Sequence, residues 1–389
     1  MYPRVILREG RDYTARHFHP WIFSGAIERT DGHPRNGEVV HVHSSEGECV
    51  GTGHYYDGSI AVKLFAFVRV DPDMVFWREK IFKAWSVRQD LGLTNNDETD
   101  SFRLVYSESD GLPGLIIDMY GETAVLQFHS EGMEKLADTF TIVLQEVVGR
   151  RLRSIYQKPV EKPDRQEEGQ YLLGKADVGV IIENGLRYRV DWEHGQKTGF
   201  FLDQRENRAL LEKFSHRRNV LNCFSYSGAF SCCALRGGAT HVTSVDSSKD
   251  AETLLEENIK LNFEDSSRHE FVSADCLQHL HSISNQYDLI VLDPPAFVKH
   301  RGALQGGMKG YETINYQALR HIAPGGILFT FSCSQLVQRD IFRRMLTDAA
   351  SRARRAVRIL HELHQAPCHP VSIFHPESEY LKGYVLIVE

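Results

Sequence analysis

From about residue 195 onward the chain alternates continuous apolar runs with amphipathic stretches, and this feature constrains its fold more than any other. NVLNCFS (219–225), HVTSVD (241–246), EFVSAD (270–275), YDLIVLDPP (287–295) and GGILFTFSC (325–333) are strand-like runs. Helical spacing separates them: through Leu235, over 250–262 and over 336–356. VRILHELH and YLKGYVLIVE close the chain as two further strands. A strand buried on both faces reads as an unbroken apolar run, and such strands alternating with helices build a doubly wound, mostly parallel sheet.

The N-terminal part has a different rhythm. VILREG, GEVVHVHS, ECVGTGHYY and SIAVKLFAF are short β-type runs punctuated by Gly37, Gly47 and Asp57-Gly58, a density that predicts a small β-barrel. At Asp71-Pro72-Asp73 the pattern turns helical over MVFWREKIFKAWSVRQDLGL. The strands FRLVYSES, LIIDMYG and TAVLQFHS follow, then a helix over roughly 132–147. KPVEKPDRQEEGQ (158–170) reads as a polar loop, and Asn184-Gly185 is a hairpin signal between two strands around 178–191. The expected division is a β-barrel over 1–73, a central α+β domain over 74–194 and the α/β domain over 195–389.

Composition narrows the partners. With 45 Lys+Arg against 52 Asp+Glu the net charge is −7, which excludes a polybasic coat on nucleic acid but leaves room for a local basic face. No run approaches the ~18 apolar residues of a membrane span. The N-terminal MYPRVILREGRDY is charged where a signal peptide is apolar. Seven scattered cysteines, without metal-type spacing, point to a reducing cytoplasm and to no bound metal.

In an open α/β sheet, ligands bind at the carboxyl ends of the strands. The first strand ends in Cys223-Phe224-Ser225-Tyr226-Ser227-Gly228, with a single glycine in place of the three that bring a backbone onto a pyrophosphate. S-adenosylmethionine, which has no phosphates, needs less of that geometry. Asp246 is placed to bind two ribose hydroxyls, Asp275 to accept from an adenine amino group, and Asp293-Pro294-Pro295 closes the fourth strand. Any one of these acids also reads as the N-cap of the next helix. Gly195-Gln196-Lys197-Thr198-Gly199 has a superficial likeness to a phosphate loop but lacks the glycine before Lys197.

Cys333, between Ser332 and Ser334 at the end of the fifth strand, is the most informative residue. A strand-end cysteine is commonly an apolar filler. Here it sits at the edge of the expected cofactor cleft, opposite Asp293. Methylation at carbon 5 of a pyrimidine needs a nucleophile at carbon 6 to make carbon 5 reactive, and a thiolate combines attack with reversible release.

Together these residues resemble the ribosomal large-subunit methyltransferase I (RlmI-like) family, class I methyltransferases that act on cytosine in 23S rRNA. His19-Pro20-Trp21-Ile22-Phe23-Ser24-Gly25-Ala26 resembles its PUA domain, an RNA-binding β-barrel. Ser109-Asp110-Gly111-Leu112-Pro113-Gly114-Leu115 resembles the signature of its central domain. The block from Gly195 through Asp203-Gln204-Arg205 and the run Phe331-Ser332-Cys333-Ser334 match two further motifs. The resemblance implies Cys333 as the attacking thiolate, with Asp293 beside it. It also places S-adenosylmethionine against Phe224, Ser225, Tyr226, Gly228, Asp246, Asp275 and Asp293, with Gln196, Lys197, Thr198 and Asp203 closing one side. A homodimer is implied by resemblance only. Pro367-Cys368-His369-Pro370 departs from the family's Asp-His-Pro, and Pro295 stands where many RNA cytosine methyltransferases carry a second cysteine.

For RNA contact, Arg4 and Arg8 of the first module, and Lys299, His300, Arg301 and Lys309 in a glycine-containing loop after Asp-Pro-Pro, are expected to hold phosphates. Arg343, Arg344, Arg352, Arg354, Arg355 and Arg358 also cluster, where a helix C-terminus equally favours them. Two other functions fit the same fold. One is methylation of a purine nitrogen, since Asp-Pro-Pro followed by Phe297 resembles an amino-methylation motif. The other is a non-catalytic RNA-binding or assembly protein.

Overall fold

The computed structural model describes residues 2–160, 168–176 and 179–389. Residues 161–167 of the polar stretch, and Asp177 and Val178 at the start of the expected hairpin, lie outside the described residues. The chain forms two compact units. One comprises the residues up to Gly179 with Val190–Phe200 and Pro367–Ser378; the other comprises Val180–Arg189, Phe201–Ala366 and Glu379–Glu389. The expected boundary at 195 therefore falls inside a stretch that belongs to the first unit.

The first unit begins with β1 (Arg4–Leu7), α1 (Tyr13–Arg16), β2 (Trp21–Phe23), β3 (Ile27–Asp31), β4 (Val39–His43), β5 (Cys49–Tyr55) and β6 (Ile60–Ala66). They form a six-stranded sheet in the order β2-β6-β5-β4-β1-β3, in which β1 runs parallel to β4. Val5, Leu7, Ile22, Val40, Val42, Val50, Val62 and Leu64 fill one core. The two strands that the periodicity does not announce, β2 and β3, lie at the ends of this order. Edge strands are short and tolerate polar residues, so they carry little apolar signal.

The helix after Asp73 is α2 (Met74–Asp90), and the Asp73 carboxylate caps it by accepting the Phe76 amide at 2.9 Å. β7 (Ser101–Tyr106), β8 (Leu115–Tyr120), β9 (Thr123–Phe128), α3 (Glu131–Glu134), α4 (Ala137–Val148), β10 (Ser154–Gln157) and β11 (Gln170–Leu173) follow. The strands form a sheet in the order β11-β10-β9-β8-β7. Every side chain of β8 is buried, including Asp118, which pairs with Arg103 at 2.7 Å. Asp110 of the Ser-Asp-Gly-Leu-Pro-Gly signature takes both Nη atoms of the fully buried Arg88, at 2.6 and 2.8 Å. The same arginine donates to the Cys368 carbonyl at 2.7 Å. The signature is thus a structural clamp.

The hairpin β12 (Gly179–Glu183) and β13 (Leu186–Val190) turns at Asn184 and Gly185, both left-handed at φ 49° and 78°, as a two-residue hairpin turn requires. Glu183 and Arg208, both buried, form a bidentate ion pair at 2.7 Å.

The second unit continues with α5 (Arg205–Phe214), β14 (Asn219–Cys223), α6 (Ala229–Arg236), β15 (His241–Asp246), α7 (Lys249–Asn262) and β16 (His269–Ser273). Then come α8 (Cys276–Ser282), β17 (Leu289–Leu292), α9 (Leu304–His321), β18 (Gly326–Ser332), α10 (Arg339–Ala353), β19 (Val357–His364) and β20 (Lys382–Val388). The sheet order is β16-β15-β14-β17-β18-β20-β19, with β20 antiparallel to both of its neighbours. This is the doubly wound, seven-stranded sheet that the apolar runs predict.

One expectation is corrected. Lys309 does not lie in a loop but on α9, an eighteen-residue helix that contains Gly306, Gly307 and Gly310. Glycine inside a helix ordinarily weakens it, which is why the sequence reads as a loop. Here close packing needs it: a Cβ at Gly307 would stand 2.5 Å from Val298 Cγ2 and 2.6 Å from the Phe297 carbonyl. Among the described residues no helix is long and apolar enough to cross a membrane.

Candidate active site

The loop after β14 is bent by three left-handed residues, Phe224 (φ 59°), Tyr226 (φ 42°) and Gly228 (φ 73°). For Phe and Tyr that conformation costs on the order of 1–3 kcal/mol and persists only when the surroundings impose it. Here they do. The Phe224 amide donates to Cys276 Sγ at 3.1 Å, the Ser225 amide to the Val245 carbonyl at 3.2 Å, and the Tyr226 amide to Asp246 Oδ2 at 3.0 Å. Gly228 opens α6 so close to Leu255 that a Cβ would stand 2.5 Å from its Cγ.

Asp246 ends β15 half-buried; its Oδ1 accepts the Ser248 amide at 3.0 Å. Asp275 is exposed and caps α8, its Oδ1 accepting the Gln278 amide at 2.9 Å. The capping role and the ligand role thus share one side chain, and capping uses a single oxygen. Ser225 is buried, and among the described residues its Oγ has no hydrogen-bond partner. A buried hydroxyl without a partner costs stability, so a polar ligand at this loop is the natural completion. The unpartnered hydroxyl, the strained loop and the carboxylates at successive strand ends fit S-adenosylmethionine.

The fourth and fifth strand ends come together. Cys333 follows β18 and is half-buried; its Sγ donates to the Pro294 carbonyl at 3.7 Å, one residue beyond Asp293. Asp293 Oδ2 accepts Gln204 Nε2 at 3.0 Å. Ser334 Oγ accepts the Val298 amide at 3.1 Å and meets the Tyr311 hydroxyl at 2.9 Å, which ties the Asp-Pro-Pro turn to the cysteine turn. The buried Lys382 donates to the carbonyls of Ser334 (2.8 Å) and Val337 (2.6 Å), and burial pulls its pKa down to about 8.

The other cysteines separate cleanly from Cys333. Cys223, Cys232, Cys233, Cys276 and Cys368 are buried. Burial pushes the Cys232 thiol up and takes Cys233 to about 12; Cys223 is raised by its contact with Cys276 and by burial. Thiols so raised are poor nucleophiles. Cys49, half-buried, lies on β5 of the first unit.

The remaining candidates are placed as follows. Asp203 is buried, and its Oδ2 accepts the Tyr380 hydroxyl. Gln196 and Lys197 are exposed in the first unit. Thr198 there is buried, its hydroxyl donating to Asp118 at 2.5 Å and meeting the Tyr120 hydroxyl at 2.9 Å. Arg4 pairs with Asp31 at 3.0 Å, and Arg8 donates to the Ile27 carbonyl at 3.1 Å, both on the surface. Lys299 and Arg301 are exposed. Much of the second arginine cluster is engaged internally: Arg352 with Glu312, Arg358 with Glu389, and Arg355 on the last carbonyls of α9.

Among the described residues one further group has metal-ligating chemistry. The ligand atoms of His19, His375 and Glu377 lie within 4.8 Å of one another. The Trp21 amide donates to His19 Nδ1 at 3.2 Å. His19 Nε2 stands 3.6 Å from Glu377 Oε1.

Sequence reasoning missed Gln204, Tyr311 and Lys382 as parts of this site. Gln204 carried a signal as part of the 195–205 block, and Lys382 as a lone charge at the head of an apolar strand.

A model of the S-adenosylmethionine-dependent methyltransferase family matches residues 146–373, and a PUA-like domain matches residues 5–67. The chain is 38% identical to a ribosomal RNA large subunit methyltransferase I from Klebsiella pneumoniae (strain 342), over 99% of this chain and 98% of the relative. It is 41% identical to one from Pseudoalteromonas atlantica, over 99% of each. Among solved structures, a candidate SAM-dependent methyltransferase from Streptococcus mutans superposes with a TM-score of 0.85 at 22% identity, covering all of both chains. A candidate methyltransferase complexed with SAH gives 0.86 at 21%, again covering all of both. At that identity the likeness is one of fold.

Proposed function

The chain belongs to the S-adenosylmethionine-dependent methyltransferase family that includes the ribosomal RNA large subunit methyltransferase I proteins, and from that premise we propose that it methylates carbon 5 of a cytosine in 23S rRNA through a covalent adduct at Cys333. One observation carries the reading. Cys333 is the half-buried thiol at the strand end beside the Asp-Pro-Pro turn, whereas the other cysteines of its unit are buried.

In this mechanism the Cys333 thiolate adds to carbon 6 of the cytosine. The sulfur–carbon bond forms as the carbon 5–carbon 6 π pair moves to carbon 5. Bound at the loop after β14, S-adenosylmethionine supplies an electrophilic methyl group. Loss of the carbon 5 proton and expulsion of the thiolate restore the ring double bond. Asp293, held by Gln204, is suited to accept from the exocyclic amino group of cytosine. Ser225, Gly228, Asp246 and Asp275 hold the cofactor, and Gln196, Lys197, Thr198 and Asp203 are cofactor residues by family resemblance alone. The PUA-like domain, with Arg4 and Arg8, and the exposed Lys299 and Arg301 hold the RNA. The target base must leave its stack to reach the thiol.

Methylation of a purine nitrogen is disfavoured by the same geometry. Phe297, the aromatic that such a mechanism would stack on the base, packs on Tyr311 with ring centroids 4.7 Å apart. Bisulfite mapping of rRNA from a strain lacking the protein tests the assignment. One cytosine that loses its methyl group supports it; no such cytosine, or a purine methyl group found lost by mass spectrometry of the rRNA nucleosides, refutes it.

A further inference from the structure

We propose that Lys382 is a positioning residue that holds the Cys333 thiol in its thiolate form before substrate arrives. The inference rests on the reading of Cys333 as nucleophile and names how this chain prepares it.

The placement follows from strand register. β20 runs antiparallel to β18 with Lys382 opposite Ser332, the residue before Cys333. The ammonium donates to the carbonyls of Ser334, the residue after Cys333, and of Val337, at 2.8 and 2.6 Å, so that its register partner and its first hydrogen bond flank Cys333 in the chain. The side chain is 3% exposed. An ammonium has three N–H donors, so two are used and one remains. Two neutral carbonyls satisfy hydrogen bonds but do not balance a charge.

A buried cation is costly unless an anion accompanies it. Among the described residues no carboxylate lies within ion-pair distance of Lys382 Nζ. Glu379, in the segment leading into β20, is the carboxylate whose charge acts on it, and Glu379 is bound by Arg339 of α10 at 3.1 Å. Cys333 is the other group whose negative form favours the Lys382 charge, while the Arg339 guanidinium opposes it. Tyr311 on α9 also faces Cys333, and burial keeps that phenol protonated. Asp293, the residue before Pro294, puts a carboxylate on the turn that Cys333 touches, a like charge for a thiolate. Lys382 is therefore a cation placed to offset burial and the like charge of Asp293. With its pKa near 8 it stays mostly charged at neutral pH. The proton that the thiol loses passes to solvent, and Lys382 keeps its own.

The test is the rate of iodoacetamide alkylation of Cys333 against pH, read on the Cys333 peptide by mass spectrometry of the full-length protein. The wild-type midpoint is expected below the ordinary thiol value of about 8.5. Lys382→Gln is expected to raise it by about one unit or more, slowing alkylation at pH 7 about tenfold, while Lys382→Arg keeps it low. A folded Lys382→Gln protein that titrates as the wild type does overturns the proposal. A wild-type midpoint at or above 8.5 overturns it too, and needs no variant to fold. The readout does not depend on methyl transfer. If Cys333→Ala still methylates RNA, the nucleophile reading fails while the Lys382–thiolate pairing is judged separately by its own titration.

Discussion

Gln204 donates its side-chain amide to Asp293 Oδ2 at 3.0 Å, and Gln204 is itself fixed by Asn207, whose Nδ2 reaches Gln204 Oε1 at 2.6 Å and the His364 carbonyl at 3.0 Å. A chain of hydrogen bonds thus runs from β19 through the start of α5 to the Asp-Pro-Pro turn. It orients a carboxylate beside the cysteine without contributing a reacting atom.

Gln204→Leu is expected to lower kcat about 10- to 100-fold with little change in KM for the cofactor. That corresponds to losing a hydrogen bond to a charged group, about 1.5–3 kcal/mol. Steady-state kinetics at saturating RNA check the split; an equal fall in cofactor affinity would place Gln204 in the cofactor pocket instead.

Asp246 works on two fronts. Its carboxylate holds the left-handed Tyr226 amide and the Ser248 amide, both at 3.0 Å, while facing the proposed ribose site. Asp246→Ala is expected to weaken cofactor binding by about 100-fold, since the ligand contact and the loop restraint are lost together. Isothermal titration with S-adenosylhomocysteine measures this. An unchanged Kd would remove Asp246 from the site.

Acid sensitivity has an identifiable source in the first unit. His54 is buried between Phe65 and Trp77, and burial lowers its pKa from 6.5 to about 4. The folded state thus binds its proton less readily than the unfolded state does. The stability this confers is complete above about pH 6.5 and is lost as pH falls toward 4, about 3 kcal/mol in all for this one group. Thermal melts of wild type and His54→Phe between pH 7.5 and 4.5 are expected to diverge in that window, with wild type losing more. Parallel curves would show that His54 is not the group.

Most of the second unit is legible in the sequence because parallel strands buried on both faces write themselves as unbroken apolar runs. Helix α9 is not, because Gly307 is there for the sake of Val298 and Phe297, contacts that local spacing cannot report. β2, β3 and β11 are missed for the opposite reason: edge strands bury too little to leave a pattern. The site divides the same way. Asp246, Asp275, Asp293 and Cys333 stand at strand ends, where topology alone directs attention. Gln204 and Lys382 act through neighbours distant in sequence, 89 residues in one pair and 48 in the other. Arg88 and Asp110 show the converse, a signature that reads as functional and serves as a clamp.

Covalent chemistry at Cys333 is open to direct observation. RNA carrying 5-azacytidine at the target, incubated with the protein and S-adenosylmethionine, presents nitrogen at position 5, so no proton is lost and the thiol cannot be expelled. Intact-mass analysis is expected to find a stable protein–RNA adduct mapped to Cys333, absent without cofactor and absent in Cys333→Ala. No adduct with wild type, together with undiminished methylation by Cys333→Ala, would contradict the mechanism.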